Sequence, residues 1–338
     1  MRVETGITLD LDKVADDARR LESLGYDGVI TPETIHDPFF PLLVAAEHTT
    51  NLQIGTGVAI AFPRSPMVVA QISWDLAGFS GGRFRLGLGT QVKGHNERRF
   101  STPWSPPAPR MREYVLALKA IWRTWATGEK LNFQGQHYTF TLMTPNFTPP
   151  PIAHPGIPVY IAAVGPVMCQ VAGEVCDGLR MHSFNTPKYM HDVVLPNLEK
   201  GAKKAGRSIK DIDLVCTSFA AVGATDEEIQ KARRSVAQNI SFYGSTRTYQ
   251  GVFDVHGWGD LTTKLHEMSL AGEWAAMGEL ITDDVLEQFA VIGKPEAVGR
   301  EMIKRYGDAC STCTYGAPTR TDAETATVKR VIQSLQQG

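Results

Sequence analysis

The sequence is poor in cysteine. It holds five, Cys169, Cys176, Cys216, Cys310 and Cys313, in 338 residues. An odd and scattered set does not build a disulfide framework. Cys310 and Cys313 have the spacing of a redox or metal half-site, but they fall in an apparent final strand, sharing neither a face nor a helix start. No second such pair completes a zinc site, so all five read as core residues. The chain also lacks a His-x-His pair and any tight grouping of histidines with carboxylates, which leaves a metal-dependent hydrolase little support. No apolar run reaches the ~18–20 residues of a membrane span. The first residues, MRVETGITLD, lack the apolar core of a secretory leader, so a cytoplasmic location is expected. The net charge of −2 offers no basic excess for broad nucleic-acid binding. With 43% hydrophobic and 21% charged residues the chain is ordinary for a folded protein, so disorder is not indicated.

What the sequence has is rhythm. Runs with β character at Arg2–Thr8, Tyr26–Thr31, Leu52–Val58, Arg83–Gly89, Val159–Ala163, Gly178–His182, Ile212–Val222 and Ala309–Tyr315 alternate with helical patterns. Leu11, Val14, Ala18 and Leu21 mark the first helix face, and Gly25 ends it. Further helices are predicted at Pro38–Thr49, Met67–Phe79, Met111–Trp125 (closed by Gly128), Val167–Val175, Lys188–Ala205, Asp226–Ile240 and Lys294–Tyr306, with a closing face of Val328, Val331, Ile332 and Leu335. Eight strands, each followed by a helix or a helix-bearing segment, favour a (β/α)8 TIM barrel over an open doubly wound sheet. Neither glycine-rich segment spells G-x-G-x-x-G, which weakens a dinucleotide-binding reading. A single domain over 1–338 is expected, with insertions at about 92–109, 129–151 and 241–289. The second of these reads as a hairpin with a Gly-Gln turn followed by a proline-rich strap, too short for a core of its own.

Two neighbouring strands carry paired glycines near their ends, Gly55-Thr56-Gly57 and Gly87-Leu88-Gly89. Glycine weakens a strand, so pairs of them suggest close approach to the backbone or a sharp turn, and a ligand across that end is one cause. In a barrel, active-site residues sit at the C-terminal strand ends. Glu33 and His36 follow the second strand, where a carboxylate and an imidazole can do acid–base work; an N-cap region, with Asp37 before Pro38 at the first helical position, is the alternative. His182 ends the sixth strand and is a third candidate, whereas His137, His154, His191 and His266 read as structural. Val164-Gly165-Pro166 closes one strand and opens a helix, which makes either a phosphate seat or an ordinary turn. Lys93, Arg98 and Arg99 form the densest basic group near a strand end, suited to an anionic tail or to a solvated surface.

Three stretches, GTGVAIAFPRSPMVVAQ, GRFRLGLGTQVKGHNERRF and PVYIAAVGPVMCQVAGEVCDG, resemble the bacterial luciferase-like superfamily of flavin and deazaflavin oxidoreductases, and more narrowly its coenzyme F420-dependent branch. The resemblance spans nearly the whole chain. It implies a non-prolyl cis peptide at Gly57–Val58 beneath the deazaflavin, with Ala59 and Ile60 flanking the ring. Thr90, Gln91 and Val92, followed by Lys93, match the segment that contacts ring and side chain. His95 or Asn96 falls near the phosphate or ribityl chain, and Ala163, Val164, Gly165 and Pro166 match the phosphate-holding segment. Glu33-Thr34 aligns with a pair that is Asp-His in several relatives; Thr34 departs from that pattern, and His36, two residues on, is the substitute. The implied activity is hydride transfer between the deazaflavin C5 and a small organic substrate, with Glu33, His36 and His182 as acid–base candidates. Trp104, Trp258 and the 129–151 strap would wall the substrate pocket, with Phe242–Thr246 at its rim. The alternatives are an FMN-dependent monooxygenase on the same barrel and a deazaflavin-binding protein without turnover. A homodimer is expected from the resemblance.

Overall fold

A computed structural model describes residues Met1–Gln337. Eight parallel strands form its centre: β1 (Arg2–Gly6), β2 (Gly28–Thr31), β3 (Gln53–Thr56), β4 (Phe84–Gly89), β5 (Val159–Ala163), β6 (Gly178–Met181), β7 (Asp213–Thr217) and β8 (Thr312–Thr314). Each pairs with its neighbours in chain order, and β8 returns to β1 with Arg2 opposite Thr312. The ring closes between β3 and β4, where Ile54 faces Phe84 and Gly55 faces Arg85. Closure decides for the barrel over the open sheet, and the eight predicted strands are the eight barrel strands.

Helix boundaries follow local chemistry. Helix α1 (Leu11–Leu24) starts where Asp10 accepts from the Asp12 N–H and stops at Gly25, whose φ of 95° suits glycine. Helix α2 (Phe40–His48) begins two residues later than the sequence suggested, because Asp37 accepts from the Phe39 N–H and holds the chain outside the helix. Helix α3 (Pro66–Phe79) is capped by Ser65. Helix α4 (Pro107–Thr127) buries Met111, Tyr114, Val115, Leu118, Ile121, Trp122 and Trp125 and ends at Gly128, with φ 76°. Helix α5 (Pro166–Val175) follows β5 directly.

Three readings need correction. The polar loop at 92–109 contains a short helix, Lys93–Arg98. The helix expected over Lys188–Ala205 is interrupted by a π-helical stretch at Met190–Val194. The single strand expected over Ile212–Val222 is two: β7 stays in the barrel, and Phe219–Val222 leaves it to pair in parallel with Ala290–Gly293, a strand the sequence reading missed. The hairpin in the 129–151 stretch is present, with Phe133 opposite Phe140.

The paired glycines serve strand packing first. A Cβ on Gly87 would stand 2.0 Å from the Thr56 carbonyl oxygen, and one on Gly55 would stand 2.8 Å from that of Arg85. Thr56 Oγ1 both donates to the Gly87 carbonyl at 2.6 Å and accepts from its N–H at 2.9 Å. Here the close approach is of one strand to the next. Inside the barrel, Arg180 on β6 pairs with Glu4 on β1, and both are buried. No helix among the described residues is long and apolar enough to cross a membrane.

Candidate active site

All eight strands point the same way, so their C-terminal ends open on one face. Three groups of residues meet there.

The first surrounds the break after β3. The Gly57–Val58 peptide is cis. The chain then rejoins the sheet, with Ala59 opposite Leu88 and Ile60 opposite Gly89. The Glu33 N–H donates to the Val58 carbonyl at 3.3 Å. Glu33 Oε2 accepts from the Ile60 N–H at 2.7 Å and from Arg64 Nη1 at 2.6 Å. Arg64 Nη1 also donates to the Ile60 carbonyl at 3.1 Å, its Nη2 donates to Asp37 at 2.9 Å, and its guanidinium lies 5.7 Å from the centre of the Phe39 ring. Burial works against the Arg64 cation, but Glu33 and Asp37 outweigh it and raise its pKa. Glu33, expected as an acid or base, is thus half of an ion pair whose carboxylate side chain is only 6% exposed. Thr34 and His36 are exposed, and His36 lies within electrostatic reach of Asp10, beyond β1.

The second group follows β4. Gln91 sits in the left-handed region at φ 55°, and its side-chain oxygen accepts from the Val92 N–H at 2.9 Å. Asn96 is fully buried, and its Nδ2 donates to the carbonyls of Thr90 at 2.9 Å and Val92 at 3.2 Å. It shapes the Thr90–Val92 turn from beneath. Lys93 and His95 are exposed, and Lys93 lies 3.9 Å from Glu97. Of the basic group, Arg99 is tied to the Thr34 carbonyl, whereas Arg98 stays exposed.

The third group joins β5 to β6. Gly165 caps α5 with φ −76°, a conformation open to any residue, and a Cβ there would meet nothing within 4 Å. Neither backbone nor packing requires this glycine. Tyr189 Oη donates to the Val164 carbonyl at 2.9 Å. In a planar trans peptide the Gly165 N–H then points the opposite way. Ala163, Val164, His182, Asn185 and Tyr189 line a narrow crevice beside it. The His182 Nδ1 accepts from the Phe184 N–H at 2.9 Å, so the neutral ring carries its hydrogen on Nε2. Tyr243 meets that ring edge-on at 4.6 Å and Tyr249 lies 5.1 Å away; burial pushes the imidazole pKa down to about 4. Asn185 is buried with its Oδ1 unpartnered. Of the residues expected to wall a pocket, Trp258 stacks on His256 at 4.4 Å, while Trp104 is half-buried.

Sequence reasoning missed Arg64, Tyr189 and Asn185. Arg64 stands between Pro63 and Ser65 just past a strand end, a position that hints at function, but its partner Glu33 is 31 residues away. Tyr189 falls in a helical pattern that gives no sign of its reach to Val164. Among the described residues there is no group of three or more His, Cys, Asp or Glu able to hold a metal, and all five cysteines are free and buried. The face therefore offers a hydrogen-bonded floor, a neutral imidazole donor, and a helix N-terminus clear of side chains.

Residues 2–312 match the luciferase-like monooxygenase family. An uncharacterized protein of Mycobacterium tuberculosis is 46% identical over 305 residues, covering 90% of each chain. The 5,10-methylenetetrahydromethanopterin reductase of Methanolobus tindarius is 27% identical over 288 residues, 84% of this chain and 83% of that enzyme. Among solved structures, the coenzyme F420-dependent tetrahydromethanopterin reductase from Methanopyrus kandleri superposes with a TM-score of 0.78 at 22% identity, covering 100% of this chain and 99% of that one.

Proposed function

The chain belongs to the luciferase-like monooxygenase family, and from that premise we propose that it is an F420-dependent oxidoreductase acting on a small organic substrate. The observation that carries the reading is the open ground at Gly165. A glycine that neither its φ nor its neighbours require leaves room for a ligand at the N-terminus of α5, where amide groups and the helix dipole favour an anion such as the cofactor's phosphate. The reductase relative and the solved F420-dependent reductase favour the deazaflavin over FMN.

When bound, F420 supplies a deazaflavin whose C5 exchanges a hydride with the substrate. Gly57, Val58, Ala59 and Ile60 would form the floor under the ring, and Thr90, Gln91 and Val92 its side. Ala163, Val164, Gly165 and Pro166 would hold the phosphate, with Lys93, His95 and the free Arg98 toward the anionic tail. Asn96, expected at the ligand, would act from below by fixing the turn. His182, neutral near pH 7, would donate a hydrogen bond from Nε2. His36, exposed beyond β2, would be the second acid–base candidate. Both leave an enzyme, rather than a binder without turnover, as the better reading.

Titration of the purified protein with F420 and with FMN tests the cofactor. Tight FMN binding without F420 affinity sinks the proposal in favour of a monooxygenase. If F420 binds but no substrate in a broad screen changes its visible absorbance, the binder reading gains. Gly165→Asp tests the phosphate seat. A carboxylate placed in that space should weaken F420 binding by roughly a hundredfold or more, with the far-UV circular dichroism unchanged. Wild-type affinity in the folded variant would remove the phosphate from this position.

A further inference from the structure

We infer that Glu33 and Arg64 are joint positioning residues that lock the Ile60 peptide in the floor of the site, and that Glu33 is not the proton-transfer group. The inference rests on the proposed function, since the placing of Ile60 matters to turnover only if a ring lies beside it.

Glu33 reaches the same short stretch twice. Its N–H donates to the Val58 carbonyl at 3.3 Å, and its Oε2 accepts the Ile60 N–H at 2.7 Å. Arg64 closes the circuit. One nitrogen, Nη1, donates both to that Oε2 at 2.6 Å and to the Ile60 carbonyl at 3.1 Å. One ion pair therefore serves both the N–H and the C=O of Ile60. The arginine is braced from behind by Asp37, at 2.9 Å from Nη2, and by the Phe39 ring. Charge-assisted bonds of this kind are about twice as strong as neutral ones, and both partners are largely withdrawn from water. Ile60 itself is 3% exposed, so its peptide has no water to turn to if the pair is broken.

A proton-transfer role makes the opposite demand. Glu33 would have to gain and lose a proton during turnover, yet the oxygen that faces this floor accepts from both Ile60 and Arg64. A proton on either oxygen would remove the charge that Arg64 pairs with, and one on Oε2 would also compete with the Ile60 and Arg64 bonds.

The test uses the full chain and three readouts. In the ligand-free protein, hydrogen exchange at the Ile60 amide should speed up by roughly tenfold or more in Glu33→Gln and in Arg64→Met, the range expected for one lost charge-assisted bond. F420 affinity should fall by a similar factor in each, and the double variant should lose no more than the worse single one, because the two act as a unit. The turnover that remains in Glu33→Gln should keep the wild-type pH profile. Asp37→Asn, which touches Arg64 but not Ile60, should leave the Ile60 exchange near wild type. Wild-type exchange at Ile60 in both single variants overturns the inference. So does loss of turnover in Glu33→Gln with exchange and affinity intact, which would make Glu33 the proton-transfer group. Failure of the wild-type protein to bind F420 defeats the proposed function, while the exchange measurement still decides whether the bracket exists.

Discussion

At the end of β6 the His182 ring is packed against Tyr243 and Tyr249, and burial lowers its pKa to about 4. An unfolded histidine takes up its proton near pH ~6.5. Above that value both states are neutral and the fold loses nothing. Between about 6.5 and 4 the unfolded chain binds a proton that the folded chain refuses, so stability declines as the pH falls. The loss at the acid end should be on the order of 2 kcal/mol, discounted for the ring's partial exposure. Urea unfolding at pH 7 and pH 4.5 should show His182→Gln losing less stability between the two pH values than the wild type does. An equal loss would mean that the ring is solvated. The same scale shows what a single residue reveals in sequence. Glu33 and His182 are visible as polar residues at strand ends, and both follow the C-terminal ends of barrel strands. Their partners are not visible, because Arg64 is 31 residues from Glu33 and Tyr243 lies on the helix Asp226–Gly244, well beyond His182 in the chain.

Elements with periodic apolar faces were the most legible. Helix α4 follows its stripe from Met111 to Trp125, since one buried face is enough to define a helix. The strand Ala290–Gly293 was hidden because its four residues have no alternation and its partner Phe219–Val222 lies about 70 residues earlier, a pairing that no local pattern announces. The hairpin of the 129–151 stretch is pinned to α4 by Glu113, whose carboxylate accepts from the N–H groups of Gln136 at 3.0 Å and His137 at 2.7 Å. Burial works against that carboxylate's charge, but these backbone bonds outweigh it and lower its pKa. The anchor is thus present above the ordinary carboxylate range and is lost as the pH falls through the lowered value. Gly135 is glycine for the same reason: a Cβ there would stand 2.2 Å from Glu113 Oε2. Glu113→Ala should free the hairpin at a cost of about 1–3 kcal/mol locally. Limited proteolysis should then cut the variant between residues 129 and 151 while the rest of the chain resists. Cleavage no faster than in wild type would show that Arg110, which donates to the Tyr138 hydroxyl at 2.9 Å, holds the hairpin alone.

For the whole molecule, closure of the barrel was legible in the count and order of its strands, but the device at its centre was not. Arg180 looked like one residue of an apolar strand, GLRMHS. It spans the interior from β6 to Glu4 on β1, with Nη2 2.9 Å from Oε2, while Thr314 on β8 donates to the same carboxylate at 2.7 Å. The guanidinium lies 5.7 Å from the centre of the Tyr160 ring of β5, and its Nε has no partner. Burial works against the charge on Glu4, but Arg180 outweighs it and lowers the carboxyl pKa, so this contribution fades only as the pH falls below the usual carboxylate range. A pair so deep is held less by net attraction than by the penalty of leaving either charge alone. Glu4→Leu and Arg180→Met should therefore each cost about 3–5 kcal/mol, because each strands a buried ion. The double variant, with neither charge, should lose less than either single one, since apolar side chains of similar length can refill the space. Urea unfolding of the three variants against wild type measures the coupling. If the two losses simply add, the residues act independently, and the barrel is closed by its strand pairing alone.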